Sequence, residues 1–99
     1  GEDLGPMGGE VLLMGLGGCF MSNLLAAAAA REVEMKNVRF SISAKMDSAP
    51  PRFSEVKVRI SADCADREEM KKLIAVAEHG CISANTLKNG VDLSIELSG

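Results

Sequence analysis

The sequence predicts an α+β domain in which a long buried helix and a second helix cover a three-stranded antiparallel sheet. Three observations lead to this prediction. Residues 11–30 contain no charged side chain, three later segments alternate apolar and polar residues, and an amphipathic stretch separates the second and third of these segments. With 99 residues and no internal repeat or linker, the chain is expected to form a single domain over 1–99.

The first predicted element is a helix over Val11–Ala30, a length that is also sufficient to cross a membrane. Many of its residues are small rather than strongly apolar, and Asn23 near its centre is costly in lipid. The acidic residues Glu2 and Asp3 ahead of it do not suit a signal peptide. We therefore expect a buried helix in a soluble, cytoplasmic protein that makes no contact with a membrane.

A stripe of small residues runs along one face of this helix, because its members recur at steps of three and four: Gly15, Gly18, Ser22, Ala26 and Ala29. Such a stripe allows another backbone to approach closely. A chain this short supplies only a modest core of its own. The stripe therefore favours packing against a second copy. We expect a homodimer rather than a helix that packs only on its own sheet.

Two alternating segments predict a hairpin, and a third predicts a final strand. The first runs from Val38 to Met46 and the second from Val56 to Ala62. Their connection, Asp47–Arg52, contains two prolines and is expected to be an extended loop. The last segment, Val91–Leu97, follows a break at Asn89-Gly90 and completes the predicted three-stranded sheet.

An amphipathic helix is predicted between the second and third strands. Asp66 with Glu69 is typical of an N-cap, and apolar residues from Met70 to Ala77 recur at helical spacing. This helix should end near His79-Gly80, and a short helical segment should cover Cys81–Leu87.

Composition excludes several functional classes. The formal charge of −3, the lack of a basic block and the absence of Trp and Tyr argue against nucleic-acid binding. The three cysteines have no close-spaced pairs, which favours a reducing compartment and predicts neither a metal site nor a bound cofactor. Cys64 follows a strand and is interpreted as an incidental thiol.

The other two cysteines lie far apart in sequence, Cys19 in the first helix and Cys81 at the start of the short one. They are either buried structural residues or an attacking and a resolving thiol that the fold brings together. The second interpretation requires the two sulfurs to come within reach of a disulfide.

Four short motifs in combination resemble the OsmC/Ohr superfamily of small thiol peroxidases, which reduce organic and inorganic hydroperoxides. The motifs are Gly1-Glu2-Asp3-Leu4-Gly5-Pro6, Gly17-Gly18-Cys19-Phe20, Pro50-Pro51-Arg52-Phe53 and Cys81 with Asn85-Thr86-Leu87. The resemblance runs from about Gly5 to Leu97. It implies an intertwined homodimer with interfacial active sites, a Cys19 sulfenic acid resolved by Cys81, a hydroperoxide substrate and an external dithiol reductant.

The sequence departs from the family at its start. Members usually carry a strand-rich segment before the cysteine helix, with an arginine that activates the attacking thiolate, and this chain is expected to lack that segment. Glu10 is the nearest counterpart of the family's acidic residue. Arg52 in the proline loop is a possible replacement cation. Asn23 is a hydrogen-bond partner for Cys19, and His79 is a base or a helix cap.

Elementary electrostatics alone does not force this order of the two thiols. Cys81 is expected at a helix N-terminus, where free N–H groups favour a thiolate, whereas Cys19 lies inside its helix and needs a nearby cation. Because the activating arginine of the family is expected to be missing, an alternative function stays open. In this alternative the chain is a non-catalytic dimeric module of the same fold that binds a small apolar ligand or senses the thiol redox state.

Overall fold

The computed structural model describes residues 8–98 and has an α+β fold, as the sequence predicts. Its elements are α1 (Gly8–Ala30), β1 (Lys36–Ser48), β2 (Pro51–Asp63), α2 (Arg67–His79) and α3 (Ile82–Asn89). The two strands form an antiparallel hairpin, and the three helices pack together with α1 also contacting the hairpin. The N-terminal motif of residues 1–6 lies outside the described residues.

The hairpin is longer than predicted, because the connection over Asp47–Arg52 is paired rather than an open loop. Asp47 lies opposite Arg52 and Ser48 opposite Pro51, so that only Ala49 and Pro50 form the turn. Pro51 is the first residue of its strand, a position where proline is tolerated. The Arg52 guanidinium lies 2.9 Å from the Asp47 carboxylate, so that opposite charges stabilise the end of the hairpin.

The predicted third strand is wrong. Within the described part of the chain, residues 91–98 belong to no strand, and the sheet has two strands. The apolar side chains of this segment are 72% to 99% exposed, from Val91 to Leu97. Alternation of apolar residues determines which face of a strand is apolar, but a strand forms only where another backbone offers hydrogen bonds.

The expectation that the first helix is buried holds for one face only. The buried residues of α1 are Leu16, Gly17, Phe20, Leu24 and Ala28, which recur at helical spacing. Val11, Met14 and Leu25 on other faces are more than half exposed. The helix is long and apolar enough to cross a membrane by length and composition alone, a test that core helices of soluble proteins also pass.

The core lies between this face of α1 and α2. Leu24 from α1 and Leu73 from α2 are fully buried, with Ala77 and Cys81 beside them.

The predicted cap of α2 is confirmed, because the Asp66 side chain accepts hydrogen bonds from the backbone amides of Glu68 and Glu69. Helix α2 ends at His79, as its sequence predicts, and Gly80 follows it.

The small-residue stripe of α1 does not pack against another helix of the same chain. All five of its members are exposed, and a Cβ atom added at Gly15 or Gly18 would meet no other atom within 4 Å in the described structure.

Candidate functional site

The fold brings Cys19 and Cys81 together. Their Sγ atoms lie 3.3 Å apart, although the residues are separated by 62 positions in sequence. Helix α2 packs along α1, and the chain that follows Gly80 also contacts α1 through α3. Cys19 is half-buried, whereas Cys81 is fully buried. Both are free thiols, and a disulfide between them requires the sulfurs to approach to about 2.05 Å.

Both sulfurs lie at the N-terminus of α3. Cys81 is the N-cap residue, and its Sγ accepts a bond from the Ala84 amide at 3.4 Å. The Cys19 sulfur accepts a hydrogen bond from the Cys81 S–H at 3.3 Å, and the Ser83 and Ile82 donors of the same turn lower the pKa of Cys19. These amides belong to the first turn of α3, where they have no partner within their own helix.

This arrangement shifts the pKa values of the two thiols in opposite directions. The Ser83 amide and hydroxyl, followed by the Cys81 S–H, lower the pKa of Cys19 from its ordinary value of 9.0 to about 7. Burial raises the pKa of Cys81, and the neighbouring Cys19 charge raises it further. The remaining proton therefore resides on Cys81, which donates a hydrogen bond to the Cys19 sulfur.

The electrostatic expectation from sequence is therefore wrong for both thiols. Cys81 does lie at a helix N-terminus, but its burial outweighs the single amide bond it accepts. Cys19 lies mid-helix in α1, yet its sulfur lies 3.3 Å from the sulfur of the α3 N-cap residue, and the Ser83 donors of that helix lower its pKa. The missed signal is Ser83, which stands two residues after Cys81 in the first turn of the short helix.

Asn23 is the second supporting residue at Cys19, as the sequence suggests. It lies one helical turn farther along α1, where its side-chain amide donates to the Cys19 carbonyl oxygen at 2.8 Å. The same Nδ2 atom lies 3.8 Å from the Cys19 sulfur. The bond to the carbonyl therefore holds a donor close to the Cys19 sulfur.

The other residues singled out from the sequence lie elsewhere. Glu10 is in the first turn of α1, nine residues before Cys19 and therefore ~13 Å away along the axis. Arg52 is at the tip of the hairpin, where it binds Asp47 and the Pro50 carbonyl oxygen. The His79 side chain is exposed, while its carbonyl oxygen accepts a bond from the Asn85 side chain at 3.0 Å.

A small apolar cavity of about 220 Å³ lies beside the thiol pair, between the helices and β2. Phe20 from α1 and Ala84 from α3, the immediate neighbours of site residues, are on its wall, and the Glu78–Lys88 ion pair is at its edge. The cysteines themselves are not among the lining residues.

Comparison with solved structures shows the same fold. An OsmC-like hydroperoxide resistance protein from Jannaschia sp. CCS1 has 19% identity and a TM-score of 0.80, covering 100% of this chain and 71% of its own length. The organic hydroperoxide resistance protein OhrB of Bacillus subtilis has 21% identity and a TM-score of 0.62, and the match covers 97% of this chain and 73% of OhrB. A hypothetical protein from Aquifex aeolicus VF5 has 17% identity and a TM-score of 0.77, and the match covers 93% of this chain and 70% of that protein.

This chain spans 56% to 73% of the length of the solved structures that are described as OsmC-like or as hydroperoxide resistance proteins. No match was found among curated proteins. The sequence profile described as OsmC-like protein matches residues 1–96, nearly the whole chain. The chain therefore belongs to the OsmC-like protein family.

Proposed function

We propose that this protein reduces hydroperoxides with Cys19 as the attacking thiol and Cys81 as the resolving thiol. The observation that carries the proposal is the pair of sulfurs 3.3 Å apart, with the lowered pKa on the more accessible one. A thiolate is the nucleophile in peroxide reduction, and it must be reached by substrate. Solved relatives named as hydroperoxide resistance proteins support the same chemistry.

The first step is a displacement at oxygen. The Cys19 thiolate attacks the terminal oxygen of the hydroperoxide, an S–O bond forms and the O–O bond breaks. The leaving alkoxide takes up a proton and departs as an alcohol, or as water when the substrate is hydrogen peroxide. Cys19, oxidised by two electrons, is left as a sulfenic acid.

The second step closes a disulfide. Cys81 loses its proton and attacks the Cys19 sulfur, so that an S–S bond forms and the sulfenic oxygen leaves as water. An external dithiol then reduces the disulfide by exchange and restores both thiols. The separation of 3.3 Å requires only a local movement to close this bond.

The proposal includes a homodimer in which the second copy covers the exposed face of α1. That face carries the five small residues of the stripe, flanked by the exposed side chains of Met14 and Leu25. Apolar residues around Cys19 suit an organic hydroperoxide, so we expect such substrates to react at least as well as hydrogen peroxide.

The test is a single oxidation of reduced protein with one equivalent of cumene hydroperoxide, followed by peptide mass spectrometry. Wild-type protein should lose two hydrogens as a Cys19–Cys81 disulfide, which dithiothreitol reverses. Cys81→Ser should give a Cys19 sulfenic acid that reacts with dimedone, and Cys19→Ser should not reduce the peroxide. Cys64→Ser is the control and should match wild type. Oxidation of Cys64 or Cys81 while Cys19 stays reduced would contradict the assigned roles.

A second candidate function is favoured by the apolar cavity beside the site. A module that binds a small apolar ligand there, or that senses oxidants by forming the disulfide without turnover, would use the same geometry. Steady-state consumption of peroxide at the expense of dithiothreitol separates the two functions. A disulfide that forms once and is not turned over supports the sensor.

A further inference from the structure

We propose that a disulfide between Cys19 and Cys81 removes the cap of α3, so that oxidation of the thiol pair loosens this helix. The inference rests on the proposed function for the disulfide and adds its effect on the fold. It is carried by two contacts of the Cys81 sulfur. This sulfur accepts a hydrogen bond from the Ala84 amide at 3.4 Å, and it lies 3.3 Å from the Cys19 sulfur. The first contact caps α3, and the second is the one that oxidation converts into a covalent bond.

Closing the disulfide acts against the cap. The two sulfurs must approach from 3.3 Å to about 2.05 Å and adopt a dihedral angle of about 90°. Cys19 lies in the middle of the 23-residue α1, which holds its backbone in place, whereas Cys81 precedes a helix of eight residues. The Cys81 side chain therefore makes most of the movement. A shift of about 1 Å toward Cys19 lengthens a separation of 3.4 Å from the Ala84 amide and leaves that amide without its acceptor.

Helix α3 depends on this anchor because its other attachments are weak. None of its eight residues is buried, and a helix of this length is not stable by itself in water. The Asn85 side chain donates to the His79 carbonyl oxygen at 3.0 Å, and Lys88 forms an ion pair with Glu78. Asn85 and Lys88 are both exposed, and exposed pairs contribute little to stability. Cys81, which is fully buried, is therefore the principal anchor of α3.

A loosened α3 would uncover apolar surface, since this helix forms one wall of the cavity beside the thiol pair. Ala84 and Leu87 of α3 line this cavity of about 220 Å³ together with Val56 and Val58 of β2. In a peroxidase, the movement gives the reducing dithiol a route to the Cys81 sulfur, which is fully buried in the reduced protein. In a sensor, the uncovered surface is the signal of oxidation.

The experiment compares amide hydrogen exchange, followed by NMR, in the reduced protein and in protein oxidised with diamide. Diamide takes up the two electrons and two protons of the thiol pair and becomes a hydrazine, so that the disulfide forms without peroxide. The Asn85 amide, which bonds the Cys81 carbonyl oxygen at 3.0 Å, reports on the first turn of α3. Its exchange should become roughly fivefold faster on oxidation, the ratio that corresponds to loss of a typical N-cap. Exchange of the Ala77 amide in α2 is the internal control and should not change.

Three variants separate the cap from the disulfide. Cys81→Ala removes the cap acceptor and should exchange fast at Asn85 even without diamide, whereas Cys81→Ser keeps a good N-cap and should exchange slowly with or without diamide. Cys19→Ser leaves the Cys81 cap in place but cannot form the disulfide, so diamide should not change its exchange. A wild-type disulfide that leaves exchange in α3 unchanged, or slows it, overturns this inference alone. Failure of diamide and of peroxide to form the disulfide would overturn the proposed function as well.

Discussion

At the residue scale, two thiols whose sulfurs lie 3.3 Å apart differ in acidity. Two residues of the same type differ because one meets the donors of a helix N-terminus and the other is enclosed by the core. The difference assigns an order to the chemistry. The sulfur that is charged near neutral pH is also the half-buried one, and the protonated sulfur lies behind it.

The pH dependence of Cys19 oxidation follows from its lowered pKa. The thiolate is the reactive form, so the rate of a single oxidation by cumene hydroperoxide should rise through a midpoint near pH 7 and reach a plateau by about pH 8. An ordinary thiol, with a pKa of 9.0, would still be gaining rate above pH 8. Stopped-flow measurement of the bimolecular rate constant checks this expectation, and a midpoint near 9 would contradict it.

The same shift links pH to folding. Because the pKa of Cys19 is lower in the folded state than its ordinary value of 9.0, its ionisation stabilises the fold fully above pH 9. This contribution is lost as the pH falls through the folded pKa of about 7. Cys81 acts with the opposite sign, since burial raises its pKa and its ionisation at high pH opposes folding.

Asn23 should influence the same titration. Asn23→Asp replaces a donor 3.8 Å from the Cys19 sulfur with a group that is negatively charged at neutral pH. Like charges disfavour ionisation, so the pH midpoint for oxidation of Cys19 by cumene hydroperoxide should rise by about one unit or more. Ser54→Asp adds the same charge on the exposed hairpin and is the matched control. An unchanged midpoint in Asn23→Asp would show that the amide does not influence the thiolate.

The pairing of Cys19 with Cys81 could be inferred from sequence because short motifs around each cysteine resemble those of a known family. The source of the acidity could not. Helical spacing places Ser83 relative to Cys81, but only the packing of α3 against α1 places it against Cys19. A sequence interpretation that considers each helix by itself therefore assigns the amides of α3 to its own N-cap cysteine.

At the element scale, the helices and the hairpin agree with their patterns, and the errors occur where an element depends on a partner. The Asp66 cap and the end of α2 at His79 are local features, and both could be predicted. The hairpin was predicted too short because two prolines suggested a loop, whereas Pro51 begins a strand. The segment after Gly90 has the alternation of a strand but lacks a partner within the described chain.

The core contact between α1 and α2 should account for much of the stability. Leu73→Ala removes a fully buried side chain and should lower the free energy of unfolding by about 2–5 kcal/mol. Val76→Ala on the same helix truncates a side chain that is 41% exposed and should cost under about 1 kcal/mol. Urea unfolding followed by circular dichroism measures both values. Equal losses for the two variants would mean that Leu73 is not at the centre of the core.

At the scale of the whole molecule, one chain exposes more surface than a compact domain of its size. Its accessible surface is 7645 Å², whereas a compact monomer of this mass exposes about 5,400 Å². Its Cα radius of gyration is 16.2 Å, against about 12.6 Å for a compact chain of this length. The excess of ~2,200 Å² is comparable to what one partner buries in a large, permanent interface.

The exposed surface is also apolar where a soluble monomer would be polar. Several large hydrophobic side chains of α1, of β1 and of the segment after Gly90 are at least 41% exposed. From the sequence, the small-residue stripe and the modest core of a short chain already indicated an unsatisfied face. Which backbone covers that face is not encoded in the periodicity of one chain.

If the protein forms the dimer proposed above, a charge added to the exposed face of α1 should weaken association, and a charge added to α2 should not. Sedimentation velocity at micromolar concentration should give twice the chain mass for wild type. Ala26→Glu adds a charge to the exposed stripe of α1, while Ala75→Glu adds the same charge to an exposed position of α2. Alanine and glutamate are both good helix formers, so neither change should disturb its own helix.

If α1 packs against α1 of a second copy, the Ala26→Glu carboxylate loses its water without gaining a partner, a cost that weakens association. Ala26→Glu should therefore sediment as a smaller species or dissociate at higher concentration, and Ala75→Glu should behave as wild type. A wild-type chain that stays folded and monomeric at micromolar concentration contradicts the dimer. Dissociation by Ala75→Glu alone would instead place the interface on α2, because only a face that is desolvated in the complex makes a single charge costly.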